Sequence, residues 1–500
     1  MDILGQTGIR ERRLRGIPIL MIAGSLALIA ILFHTTVAFW ADNEFTQPEG
    51  IVATQAFSLA QDGTLYYDLK QYPYTVCAYM PLFYGMVAAL NRAGVPVLIG
   101  GRVLSLLALG AVFWLIWKIL ILYTRDRLCA ATGLCLSGVT QLLLGWGMVG
   151  QVDMLAIAIA LAAFYQYSLH NVLGKATLDR AAVLSIAALF TKQTAIAAPL
   201  AIFVLLLLAN PKSAWRFGAI VGGVGGAMVL GVNAWMQGRF IENTVLANLN
   251  PFAFYKVKIH FEYMAVALLP LLPIVLIGAP KALRTSMRSA FVYLGIAAAV
   301  LLLTAAKVGS DSNYQIETAI LLILCSCLAL HAMNFFTLIA GRSQSWITLL
   351  VLPLALYGVQ NLRVATSGLA QRIGREQMFR TQVQGLAPYL SGPGQVLSTD
   401  SNALVQFKRR FEVEPLIYRL LVEAGRVDGN RVLGDIDRGK FQTVLLYENL
   451  SEKPDIDPEF PRLTDLQSEA IRKRYRMVKH LPGPYLSGLY VYRPMAGWPQ

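Results

Sequence analysis

Charge is scarce in this chain of 500 residues: only 14% of it is Asp, Glu, Lys or Arg, while 56% is hydrophobic and the mean hydropathy is +0.53. Soluble domains carry about a quarter of their residues as charges, so most of this chain is excluded from that class. Cysteine and histidine are also rare, with 5 of each. Cys77, Cys129, Cys135, Cys325 and Cys327 form no CxxC pair and none lies beyond Cys327, which indicates neither a disulfide framework nor a metal cluster. The net charge of +14 comes from basic residues that fall largely in short loops between apolar runs, where they orient a membrane protein. No nucleic-acid partner is implied.

What is abundant is apolar sequence of bilayer length. Ile17 to Trp40 and Ala290 to Ala306 approach the roughly 20 residues a helix needs to cross about 30 Å of hydrocarbon. The first run follows Arg10, Arg12, Arg13 and Arg15 but ends in His34, Phe39 and Trp40 rather than at a small-residue cleavage site, and reads as a retained anchor. Basic clusters placed on the cytoplasmic side thread the rest through about eleven crossings. Pro81 to Leu90 is too short to cross and is expected to lie in the interface as a helix opened by Pro81. Leu128 to Met148 runs outward, Asp153 to Tyr167 returns, and Ala181 to Asn210 leaves and comes back around Thr191-Lys192-Gln193-Thr194. Arg342 marks a short inner loop before Trp346 to Val359 exits for the last time.

The division expected is a membrane domain over residues 1–362, with a first exported loop at 41–96 carrying interfacial helices, and an exported α/β domain over 363–500. In that tail Gly394 to Ser398, Phe441 to Tyr447 and Gly488 to Tyr492 alternate as strands, and Glu414 to Ala424 and Thr464 to Arg474 repeat as helices. The fold class is therefore mainly α, a polytopic helical bundle with a small α/β tail. No internal repeat appears.

This threading gathers ionisable groups at one rim: Glu44, Glu49, Asp62 and Asp68 in the first loop, Asp153 and Lys192 at the next turns, then Lys307, Asp311 and Glu317. Ionisable groups at helix ends facing a shared cavity are candidates for function. The segments Gln47-Pro48-Glu49-Gly50, Asp62 to Asp68 and Tyr79 to Tyr84, followed by Gly150 to Met154, Phe190 to Thr194 and Asn313-Tyr314, resemble in order those of GT-C-fold glycosyltransferases. The branch is the one that holds protein mannosyltransferases and bacterial lipid A aminoarabinose transferases. The resemblance covers about Arg13 to Leu330 and implies a polyprenyl-phosphate-linked sugar donor, a glycan, lipid or protein acceptor, and a bacterial inner membrane with the N-terminus in the cytoplasm. It also implies an essential acidic residue in the first loop, at Glu49. Pro-Glu-Gly stands here where many members carry an Asp-Glu pair, so a divalent metal stays open and no cofactor is assigned.

A lipid phosphate is already a good leaving group, and what such a transfer lacks is a base. A carboxylate within reach of an acceptor hydroxyl supplies it, and direct displacement inverts the anomeric centre. Glu49 is expected as that base, with Asp153 orienting the acceptor or a metal; Asp153 reads equally as a helix-start residue that complements the dipole. Lys192 and Arg102 are expected at the donor phosphate, the alternative for each being a cation reaching for the interface. Tyr67, Tyr79, Asn313, Tyr314 and Glu317 are expected along the substrate cavity, although an aromatic belt accounts for most of the tyrosines. Two other classes remain beside this one: a secondary transporter, which would show repeats and midplane charges, and a polymerase or ligase of lipid-linked glycans centred on a later loop.

Overall fold

The computed structural model describes residues 17–335, 344–452, 459–484 and 488–495. The arginines at 10–15 and Arg342, on which the orientation rests, lie outside these residues. Apolar helices dominate up to Ala332, and among the described residues four are long and apolar enough to cross a bilayer: Val97–Thr124, Val152–Leu173, Pro211–Trp235 and Ser312–Ala332. A fifth candidate is the pair Phe254–Ala265 and Leu269–Ala282, bent by 64°. Helix α1 (Ile17–Trp40) precedes them.

The first loop is more helical than its sequence suggests. After Trp40 the chain forms α2 (Gln47–Asp62), with Pro in its first turn, where a missing N–H costs nothing, and Gly63 at φ 69° closing it. Helix α3 (Pro81–Arg92) starts at proline as expected, and α4 (Val97–Thr124) descends. Asp126 then caps α5 (Arg127–Val139) by accepting from Leu128 N at 2.9 Å. The outward run breaks at Thr140 into α5 and α6 (Gln141–Trp146), and the turn after Trp146 delivers α7 (Val152–Leu173).

Helices α8 (Leu178–Thr191, 14 residues) and α9 (Ala197–Ala209, 13 residues) meet at Lys192. At 1.5 Å per residue each is about 20 Å long, short of the hydrocarbon thickness. The turn they share is therefore recessed below the rim. Helices α10 (Phe254–Leu268), α11 (Leu272–Ala282) and α12 (Arg288–Thr304) follow, then α13 (Ile316–Ala332), which is buried along almost its whole length.

Helix α14 (Gln344–Leu390) is 47 residues long and runs unbroken through position 363, where the composition changes. It stands on the bundle and carries the tail on its upper end. Strands β1 (Gln395–Ser398), β2 (Phe441–Leu446), β3 (Tyr475–Leu481) and β4 (Leu489–Pro494) form one sheet in the order β1-β2-β4-β3, parallel between β1 and β2 and antiparallel elsewhere. Helices α15 (Ser401–Gln406), α16 (Pro415–Glu423), α17 (Asn430–Asp437) and α18 (Asp465–Arg474) pack around it. The tail and the first loop share a core: Leu69, Tyr74 and Val76 pack with Val413, Tyr418 and Leu421. Tyr74 N donates to Glu412 O at 2.8 Å and Glu414 N to Tyr74 O at 3.0 Å, which fixes the tail over the loop.

Candidate active site

Two buried ion pairs organise the region between the loop, the bundle and the tail. In the first, Arg102 of α4 meets Glu49 of α2 at 3.0 Å, with both side chains fully buried. Glu49 Oε1 accepts from Arg102 Nε and, at 2.7 Å, from Gly150 N; Oε2 accepts from Arg102 Nη2 and, at 2.6 Å, from Phe45 N. The guanidinium is equally committed, because Nη1 donates to Ala38 O and Ala41 O and Nη2 also to Asn43 O. Gly101 and Gly150 allow this closeness, since a Cβ on Gly101 would meet the Gly150 Cα at 3.1 Å.

Sequence reasoning gave Glu49 to the acceptor and Arg102 to the donor phosphate; the structure joins them to each other instead. Every Glu49 oxygen is engaged by two N–H donors, which leaves no accessible lone pair for a substrate proton. The pair pins residues 38–49 to α4 and to the turn before α7. Gly50 belongs to the same knot, because a methyl group there would overlap the Glu44 carboxylate. Glu44 is itself pushed well above the usual carboxylate range by burial, then by the charges of Asp400 and Glu49.

The second pair joins the turn after α8 to the start of α7. Lys192 Nζ donates to Asp153 Oδ1 at 2.6 Å, and Asn313 Nδ2 reaches the same oxygen at 3.2 Å. Asp153 Oδ2 is buried and takes no hydrogen bond. The ammonium sits 4.2 Å from the centre of the Tyr314 ring and 5.7 Å from that of Tyr79, contacts that stabilise a desolvated cation. One turn further, Glu317 Oε1 accepts from Tyr293 Oη at 2.5 Å. Four segments far apart in sequence thus bring Asp153, Lys192, Tyr79, Asn313, Tyr314 and Glu317 together. Tyr67 stands apart: its carbonyl accepts from Asn243 Nδ2 at 3.0 Å and its ring faces Arg410 of the tail at 5.8 Å.

Above this cluster is a cavity of about 280 Å³ lined by Tyr79, Gln193, Asn250, Lys307, Tyr314 and Glu414, among others. Behind it a space of about 30 Å³ is lined by Asp153, Lys192, Asn313 and Glu317, and Thr194, Thr304 and Tyr314 line both. Lys307 stood in the sequence only as one of several rim charges, and Glu414 only as a tail residue. What makes them neighbours is the packing of the tail on the first loop, which no local pattern encodes.

Glu414 caps α16 through Leu416 N at 3.2 Å and Ile417 N at 2.8 Å, yet burial pushes its carboxyl up to about 7. A carboxyl whose pKa is raised on folding contributes stability that is fully present below its ordinary value near 4.5 and is lost as pH rises through about 7. The melting temperature of the purified protein should therefore fall as pH rises across that window, and Glu414→Gln should flatten the curve.

A divalent cation does not fit these residues. Among the described residues no group of three or more His, Cys, Asp or Glu is placed to hold one, the Glu49 oxygens already face four N–H bonds, and Asp153 shares its side with an ammonium.

Comparison with known proteins gives a consistent result for the fold. ArnT from Cupriavidus metallidurans bound to undecaprenyl phosphate superposes with a TM-score of 0.62 at 11% identity, over 95% of this chain and 98% of that one. The oligosaccharyltransferase AglB from Archaeoglobus fulgidus, in complex with an inhibitory peptide and a dolichol-phosphate, gives 0.53 at 10% identity over 84% and 69%. The arabinofuranosyltransferase AftD from Mycobacteria gives 0.52 at 16% identity over 96% of this chain and 40% of that one. The fold is GT-C. No family model and no curated relative matches the sequence. Within the GT-C fold, the cavity found here lies where the first loop, the recessed Lys192 turn and the tail converge.

Proposed function

We propose that the chain is a membrane glycosyltransferase that moves a sugar from a polyprenyl-phosphate carrier to an acceptor hydroxyl on the exported face of a bacterial inner membrane. The observation that carries this reading is the Asp153–Lys192 pair, buried against a cavity with one carboxylate oxygen free. The GT-C fold supports it, as do the lipid phosphates bound by ArnT and AglB.

In this reading the acceptor enters from the tail side, and its hydroxyl attacks the anomeric carbon as its proton passes to Asp153 Oδ2. The small space before that oxygen has room for about one water, so the proton travels directly or through one bridging molecule. The new glycosidic bond forms as the bond to the phosphate oxygen breaks; the polyprenyl phosphate leaves with the electron pair, and attack from the opposite face inverts the centre. Lys192 pairs with Asp153 Oδ1 and leaves Oδ2 to the acceptor, and Lys307, whose side chain lines the main cavity and forms no ion pair among the described residues, meets the donor phosphate. The residues beyond 363 form the covering domain over the acceptor side. The Archaeoglobus fulgidus oligosaccharyltransferase is known in complex with Zn and sulfate.

A transfer assay in proteoliposomes with a panel of polyprenyl-phosphate sugars tests the assignment. Lys307→Met should raise the donor KM roughly tenfold or more with little change in kcat, as expected for a charge-assisted contact made before and during reaction. A folded wild type that consumes no donor in the panel would remove the transferase reading, and an unchanged KM would remove Lys307 from the phosphate.

A further inference from the structure

Strand β3 is the free edge of the tail's sheet, and its five central residues, Arg476 to His480, are exposed on both faces. Arg472 and Lys473 end the helix that leads into it. Lys473 and Arg474 have acidic neighbours, Glu469 at 2.7 Å and Asp437 at 3.5 Å. Arg476 and Lys479 form no ion pair among the described residues. The register then places Arg476 directly opposite Arg493 of β4. Like charges facing each other across a sheet are destabilising unless something anionic lies over them.

Charges on an edge strand also prevent sheet-to-sheet aggregation. That purpose does not explain opposed arginines, nor Met477 and Val478, 48% and 36% exposed, held out among the cations where the register shifts between Met477 and Lys479. Cations interleaved with exposed apolar side chains suit a lipid–water interface.

Position decides between a membrane and a soluble polyanion. Arg380 of α14 donates to Trp40 O at 3.1 Å and stacks 4.8 Å over the Trp40 ring, at the end of the first apolar helix and hence at the bilayer rim. Two residues on, Gln382 Nε2 donates to Leu481 O at 3.2 Å, at the end of β3. Arg493, opposite Arg476, lies 5.4 Å over the ring of Tyr389, about 10 Å further up α14 by helical rise. Strand β3 thus descends along α14 toward the rim, and its lower half stands within about a Debye length, ~8–10 Å, of it.

We propose that the lower end of the β3 edge docks on the phosphate headgroups of the bilayer in which the protein is embedded, with Lys479 facing anionic lipid and Val478 entering the interface, while Arg476 and Arg493, about 10 Å higher, add a weaker longer-range attraction. This contact steadies the tail above the cavity. It is independent of the sugar-transfer reading.

The full chain in nanodiscs of phosphatidylcholine alone, or of phosphatidylcholine and phosphatidylglycerol in equal parts, provides the test through hydrogen exchange of residues 475–481. Exchange should slow on the anionic discs, revert at high salt, and lose roughly fivefold of that protection in Lys479→Gln, with a smaller loss in Arg476→Gln, which stands higher above the rim. Both positions are exposed, and exchange of β1 and β2 checks that the sheet is intact. Equal exchange on the two lipids with an intact sheet overturns the proposal. So does protection that arises only when a soluble anionic polysaccharide is added to neutral discs, because the edge would then belong to a glycan.

Discussion

Glu49→Gln is expected to lower the stability of the folded protein by about 3–5 kcal/mol, the usual cost of removing one partner from a buried ion pair. The amide presents an N–H₂ group to Arg102 or to Gly150 N, where the carboxylate accepted from Arg102, Gly150 and Phe45. Residues 38–49 would lose their attachment to α4 while Arg102 stayed buried without its counter-charge. Thermal unfolding in detergent, followed by intrinsic fluorescence, reads the loss directly. The double variant Glu49→Gln/Arg102→Gln should fall well short of the sum of the single effects, because the two side chains share one interaction. Turnover per folded molecule should survive in Glu49→Gln. A variant that melts with the wild type and transfers nothing would return Glu49 to the role of base.

This expectation differs from the one drawn from the sequence, and the reason is spatial. Glu49 and Arg102 are separated by 53 positions, and a first-loop acid looks the same in sequence whether it faces a cavity or a guanidinium. Lys192 and Asp153 were legible individually, since one lies between two half-length helices and the other starts an apolar run; their 2.6 Å contact was not. Lys307 and Glu414 became site residues only through the docking of the tail on Tyr74, a backbone pairing across the domains that leaves no periodic trace.

The fold was easier to read where the pattern was strong. Helices α3, α4, α7, α8 and α9 fall where apolar length, proline and charge place them. Strands β1, β2 and β4 each bury most of their residues and announce themselves by their apolar content. Strand β3 escaped because an edge exposed on both faces has no alternation to detect. Helix α2 lies in the loop expected to carry interfacial helices but was not itself placed there, although Pro48 and Gly63 are the residues that start and stop it.

Asp153→Asn should reduce kcat for sugar transfer by roughly 10²–10⁴, the range that a positioned proton acceptor supplies, and leave the donor KM nearly unchanged. The amide keeps an oxygen for Lys192 and Asn313 but has no negative charge to receive the acceptor's proton. Part of any loss could come from instability, because Lys192 would then be a buried cation supported only by the Tyr314 and Tyr79 rings. The double variant Asp153→Asn/Lys192→Met separates the two effects: removing the unbalanced charge should restore the melting temperature without restoring turnover. If Asp153→Asn transfers sugar at the wild-type rate, the proton goes elsewhere, and Glu414, in the wall of the same cavity with its carboxyl near neutrality, becomes the carboxylate to replace next.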